Sequence, residues 1–150
     1  MAFFFAQLLT GLANASSLFL VASGLSLIFG VTRIVNFAHG SFYMLGAYVG
    51  YSVWRIFSEP VPKYDLVIIA ITPFILFALW YLITKTRVGV LVRAATQDRE
   101  MVGALGVNQA WLFTGVFALG SALAGWGGAL QLPKGGADLL MDFNIIGAVF

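Results

Sequence analysis

Asn36, His39 and Ser41 carry the most chemical capacity in an otherwise apolar stretch, Arg33–Tyr48 (RIVNFAHGSFYMLGAY), and His39 is the only histidine in the chain. An amide, an imidazole and a hydroxyl within six positions could line or gate a path for a polar substrate. The same groups could instead bond neighbouring backbone carbonyls where helices pack. Hydrocarbon offers polar groups no partner, so in a membrane these side chains must face other helices or a water-filled path.

Other chemistries are poorly supplied. One histidine and no cysteine leave no zinc or iron cluster to build. There is no GxxxxGK[ST] phosphate loop and no GxSxG elbow. The carboxylates Glu59, Asp65, Asp98, Glu100, Asp138 and Asp142 all fall in segments expected to be loops, so no buried acid pair or proton relay is visible. An intramembrane enzyme is disfavoured, no catalytic residue, metal or cofactor is expected, and any driving energy must come from another subunit. The net charge of +2 is too small and scattered for nucleic-acid binding.

The elements that would position the polar residues follow from the solvent the chain expects. Hydrophobic residues make up 61% of the chain and charged residues 9%, with a mean hydropathy of +0.96, against about 25% charged in soluble domains. Met1–Thr32, Ile34–Trp54, Leu66–Thr84 and Met101–Pro133 contain no charge, and a spanning helix needs roughly 20 apolar residues. An all-α integral membrane protein is expected, a single multi-span helical bundle over 1–150. Its spans are expected near 8–31, 34–54, 66–84 and 110–131, with a loop at 85–109. The first run has no basic residue ahead of it, so it reads as a retained span rather than a signal peptide.

A span from 34 to 54 draws Asn36, His39 and Ser41 into the bilayer, because a helix beginning at Phe42 is too short to cross. His39 would then lie roughly 8 Å inside, at 1.5 Å per residue. Five basic residues (Arg33, Lys85, Arg87, Arg93, Arg99) fall on one side and three (Arg55, Lys63, Lys134) on the other. The positive-inside rule therefore places the 85–109 loop in the cytoplasm and the N-terminus outside.

Pro73 is expected to kink the third span, and Glu59–Pro62 (EPVP) to form a turn. Gly46 and Gly50, and Gly120, Ala124 and Gly128, recur four residues apart. Such stripes let helix backbones approach closely, within one chain or between subunits. The 85–109 loop is too apolar for a solvated linker. Asp98 suits a helix N-cap with Glu100 in the first turn, and Gly106 suits a left-handed C-terminal position followed by Val107 touching Val102. A short helix near Arg99–Leu105 is expected, another near Gly89–Ala95, and Asn108 as the cap of the last span. The Met101, Val102 and Leu105 side could rest on the lipid interface or dock into a cytoplasmic partner.

The stretch TRVGVLVRAATQDREMVGALGVN resembles the cytoplasmic loop of ABC-importer permeases for branched-chain amino acids, with Gly89, Arg93, Ala94, Gln97, Asp98, Glu100 and Gly106 on the family pattern. GLSLIFGVTRIVNFAHGSFYMLGAYVG is similar to that family's N-terminal signature, through Asn36, Phe37, Ala38, His39, Gly40, Met44, Gly46, Ala47 and Tyr48. FALGSALAGWGGALQLP resembles the family's next helix. Family permeases are longer and carry more spans between signature and loop, so the chain reads as incomplete or discontinuous relative to them.

The resemblance implies a permease subunit of the cell inner membrane that forms the translocation pathway, with Arg93, Asp98, Arg99, Glu100 and Gly106 in the ATPase-coupling element. Its implied partners are ATP-binding cassette subunits, a second permease subunit (identical or related) and an extracytoplasmic substrate-binding protein. Import of urea or short amides, or a passive channel or scaffold, are the alternatives.

Overall fold

The computed structural model describes residues 2–57, 64–135 and 140–149. They form α1 (Ala2–Thr32), α2 (His39–Phe57), α3 (Tyr64–Lys85), α4 (Arg87–Gln97), α5 (Arg99–Ala104), α6 (Gln109–Gly135) and α7 (Met141–Val149). No strand occurs among the described residues, so the fold is all-α. Large apolar side chains such as Phe3, Phe74 and Trp111 lie on the outside, as they do where lipid is the solvent.

Among the described residues, Phe3–Thr32 and Gln109–Gln131 are long and apolar enough to cross a membrane. A third crossing results if the bent pair Ala70–Lys85 and Arg87–Gln97 is taken as one. α2 differs from the expected 34–54 span, because its helix begins at His39 rather than Ile34. The cause is local. Arg33 adopts a left-handed φ of 55°, which costs a non-glycine residue roughly 1–2 kcal/mol and turns the chain out of α1. Asn36 then takes over bonds a helix would make, its Oδ1 accepting from the Ala38 N–H at 3.1 Å and its carbonyl from the His39 N–H at 3.1 Å.

Two acidic residues also sit differently from expectation: Asp65 falls within α3 and Asp142 within α7, not in loops. Glu59, Asp138 and the EPVP turn lie outside the described residues. α3 continues as one helix through Pro73, and at Thr86 the chain turns by 74° into α4.

α6 is the centre of the bundle, antiparallel to α1. Gly24 lies against the Gly120 carbonyl, Gly127 against Val21, and Ser17 Oγ donates to Gln131 Oε1 at 2.8 Å. Small residues make this possible. A Cβ on Gly120 would stand 2.7 Å from the Gly24 carbonyl oxygen, and one on Gly46 of α2 would collide with the Gly125 backbone. A Cβ on Gly128 would strike the Tyr43 carbonyl, Gly50 lies beside Ala129, and Ala124 is fully buried. The α7 residue Ile145 packs with Val21, Tyr43 and Ala124.

A second apolar cluster closes the other end of the bundle. Val31 of α1, Val92 and Ala95 of α4, Val102 of α5, and Leu112 and Val116 of α6 pack together there.

Candidate functional site

The Asn36–His39 segment lies deeper along the bundle than a helical start would place it. His39 Nε2 sits 3.0 Å from the carbonyl oxygen of Val21, eleven residues before the end of α1, or about 17 Å at 1.5 Å per residue. The roughly 8 Å of helix rise expected before His39 does not occur, because α2 begins at His39 itself. Residues 33–38 are non-helical, and at about 3.3 Å per extended residue they can cover roughly 20 Å. α2 thus begins beside the middle of α1. Non-helical backbone at such depth persists where protein buries it or where it lines a path.

A carbonyl only accepts, so His39 Nε2 carries the hydrogen and donates, leaving Nδ1 as the acceptor in the neutral ring. His39 is 2% exposed. Its Nδ1, and Asn36 Nδ2, are buried with no hydrogen-bond partner among the described residues. An unsatisfied buried polar atom costs about 1–3 kcal/mol. Asn36 and His39 are joined by a backbone hydrogen bond, and each leaves one buried polar atom unpaired, an amide donor and a ring nitrogen. Ser41 is separated from them, exposed on α2.

The groove between α3 and α6 offers no comparable chemistry. Its volume is about 290 Å³, and it is lined by Phe74, Ala78, Leu82, Leu119 and Trp126, among other apolar residues. A zwitterionic head group would find no partner there. Among the described residues, no group of three or more His, Asp or Glu side chains could hold a metal ion.

The α4–α5 elbow is built from caps. Thr86 is the N-cap of α4, its Oγ1 accepting from the Gly89 N–H at 3.2 Å. Gly89 is required at this turn because any Cβ there would collide with the Ile83 backbone. Asp98 serves two helices at once. Its N–H donates to the Ala94 carbonyl at 3.0 Å, ending α4, and its Oδ1 accepts from the Glu100 and Met101 N–H groups at 3.0 Å, starting α5.

α5 ends in a Schellman arrangement. Gly106 has φ +82°, its N–H donates to the Gly103 carbonyl at 3.0 Å, and the Val107 N–H donates to Val102 at 3.4 Å. Asn108 Oδ1 then accepts from the Trp111 N–H at 3.2 Å, capping α6. Val102 points inward, while Glu100, Met101 and Leu105 face outward, Leu105 76% exposed.

The sequence family accords with this geometry. The sequence model described as "Branched-chain amino acid transport system / permease component" matches residues 7–72 and 51–150. The chain belongs to this family. The permease protein LivH of the high-affinity branched-chain amino acid transport system of Escherichia coli (strain K12) is 35% identical over 51 residues, 34% of this chain and 17% of that protein. Its namesake in Salmonella typhimurium gives the same figures. BraD of Pseudomonas aeruginosa, a permease protein of the same kind of system, is 40% identical over 45 residues, 30% of this chain and 15% of that protein. The aligned stretch spans less than a fifth of each relative. No solved structure matches the chain.

Within this permease-family chain, the sequence named Arg93 and Arg99 without the carbonyls they meet, and it gave no site role to Arg33, Gln109 or Gln131. Arg33 Nη2 donates to the Thr96 carbonyl at 3.2 Å, and Arg99 Nη2 to the Thr32 carbonyl at 2.9 Å. Arg93 Nη1 donates to the Ile83 carbonyl at 2.9 Å. Gln109 Nε2 donates to the Arg99 carbonyl at 2.7 Å, and Gln131 Nε2 lies 3.4 Å from Asn14 Oδ1. An arginine just past an apolar run is a visible signal for a helix C-terminus, but its acceptor is a carbonyl, which every residue has.

Proposed function

We propose that this chain is a transmembrane permease subunit of an ATP-driven ABC importer for branched-chain amino acids in the cell inner membrane. ATP is hydrolysed on separate ATP-binding subunits, a second permease subunit completes the pathway, and an extracytoplasmic binding protein delivers the substrate. The loop 85–109 faces the cytoplasm, with Arg93, Asp98, Arg99, Glu100 and Gly106 in the coupling element. The single observation that carries this reading is the short, doubly capped α5, with Val102 held in the bundle and Met101 and Leu105 left outside. A solvated linker needs neither caps nor an outward apolar face, whereas a helix that docks into a groove needs both. Family membership supports the same assignment.

Asn36 and His39 supply the polar contacts of the pathway. The free amide donor suits a carboxylate, the free ring nitrogen suits an ammonium, and a zwitterionic amino acid presents both. Movement of rigid helices opens this segment alternately to the two sides, with no covalent step.

The permease, co-expressed with candidate ATP-binding subunits, is expected to co-purify with them and to show ATPase activity that rises with leucine-loaded binding protein. Replacing Glu100 with Ala and Gly106 with Val is expected to abolish uptake while leaving basal ATP hydrolysis. Unaltered uptake in both variants would rule the reading out. Stimulation by urea in place of leucine would reassign the substrate.

A further inference from the structure

Arg33, just past α1, caps α4, and Arg99, which opens α5 just past α4, caps α1. Arg33 is the first residue after α1, and its guanidinium donates to Thr96, a carbonyl in the last turn of α4, at 3.2 Å. Arg99 is the first residue of α5, next after Asp98 at the end of α4, and its guanidinium donates to Thr32, the last residue of α1, at 2.9 Å. The last four carbonyls of a helix have no partner within it and carry the negative end of its dipole, so a guanidinium is a matched cap for each. Neither arginine needs a carboxylate to hold it there.

The surroundings make Arg99 the stronger partner. Its guanidinium lies 5.4 Å from the centre of the Phe113 ring of α6, and its own carbonyl accepts from Gln109 Nε2. One residue therefore ties α1, α5 and α6 together. Beneath the exchange, a Cβ on Gly30 would stand 3.9 Å from Thr96 Cγ2, and Val31 packs with Val92, Ala95 and Val102. Arg93 meanwhile holds α4 to the end of α3. α4 cannot shift as a unit without dragging the end of α1 or breaking these bonds. Arg33 also opens the non-helical segment that ends at the buried His39.

We infer that the reciprocal capping of α1 and α4 by Arg99 and Arg33 is the joint that passes movement of the α4–α5 elbow to α1, and through residues 33–38 to the Asn36–His39 pair. Arg33 and Arg99 are positioning residues in this role. The inference rests on the importer reading and adds the route by which the elbow reaches the pathway.

The test uses the assembled complex in liposomes, with ATP-binding subunits and loaded binding protein, and measures leucine uptake per ATP hydrolysed. Arg99→Gln is expected to lower that ratio about tenfold, within the usual range of coupling between sites. Arg33→Gln removes an exposed side chain, does not threaten folding, and is expected to lower the ratio about threefold. The double variant is expected to be little worse than Arg99→Gln, because both residues serve one joint. Arg99→Lys keeps a cation at the end of α1 and is expected to recover part of the ratio.

The chain has no cysteine, so spin labels on Val90→Cys and Leu45→Cys, diluted with unlabelled chain, report the α4–α2 distance within one subunit. With the joint intact α4 carries α1 and the start of α2 with it, so nucleotide is expected to change that distance less in the parent protein than in the Arg99→Gln form. Wild-type uptake per ATP in both Arg33→Gln and Arg99→Gln would overturn the joint while leaving the importer reading intact. A parent complex that engages no ATP-binding subunit would overturn both.

Discussion

The seam where α6 meets α1 and α2 and the elbow where α4 and α5 meet α1 are both close helix contacts, held by different forces. In the seam, Gly46 lies on Gly125, Gly128 on the Tyr43 carbonyl and Gly120 on Gly24, with no side chain between the backbones. In the elbow, Val31, Val92 and Val102 leave a thinner apolar contact, and guanidinium groups reach across to helix-end carbonyls. Backbone-to-backbone packing in lipid depends on dispersion over a fitted surface and tolerates little sliding. A guanidinium–carbonyl bond can break and re-form at modest net cost, since water or another carbonyl replaces it. The seam is suited to moving as one rigid body and the elbow to pivoting where it pushes on that body.

The contrast can be broken most directly in the seam. Gly46→Val puts a branched side chain into the Gly125 backbone and is expected to cost about 3 kcal/mol or more. The readout is thermal unfolding in detergent; an unchanged midpoint would show that α2 and α6 do not meet as described. Gly89→Ala should come next. Its Cβ collides with Ile83 at the Thr86 turn, costing roughly 1–3 kcal/mol and opening the 74° bend. A label pair across α3 and α4 that reads an unaltered distance would contradict this.

Asp98→Ala removes the cap that starts α5 and is expected to cost about 1 kcal/mol. The loss should be local, with faster hydrogen exchange at Glu100 and Met101 and little change in global melting. Equal acceleration in the seam would erase the distinction between the two regions. Smallest and opposite in sign is Gly115→Ala on the outer face of α6. A Cβ there meets nothing within 4 Å, so the helix should gain about 0.5–1 kcal/mol. Destabilisation would mean that this face is covered in the assembly.

Much of the elbow was legible in the sequence because caps are local. Asp98, Gly106 and Asn108 each act within a few residues of their own position, so residue type and spacing suffice to expect them. The small-residue stripes were legible for a similar reason, as periodicity marks a face, although the chain alone names no partner for it. The start of α2 was misread. Apolar length argued for a helix from Ile34, whereas the left-handed Arg33 and the Asn36 side-chain bond to Ala38 delay it to His39. Hydropathy does not distinguish an extended apolar residue from a helical one.

By itself, then, the sequence determined the solvent, the helical class and the caps of α5, because each depends on composition or on contacts close along the chain, and its motifs carried the resemblance to the permease family. Tertiary structure alone decided that His39 reaches Val21, that Ser41 parts from Asn36, and that Arg33 and Arg99 exchange helix ends. Those contacts end on backbone carbonyls, chemically alike at every position, so only the packing of α1 against α2, α4 and α6 selects which carbonyl each side chain meets.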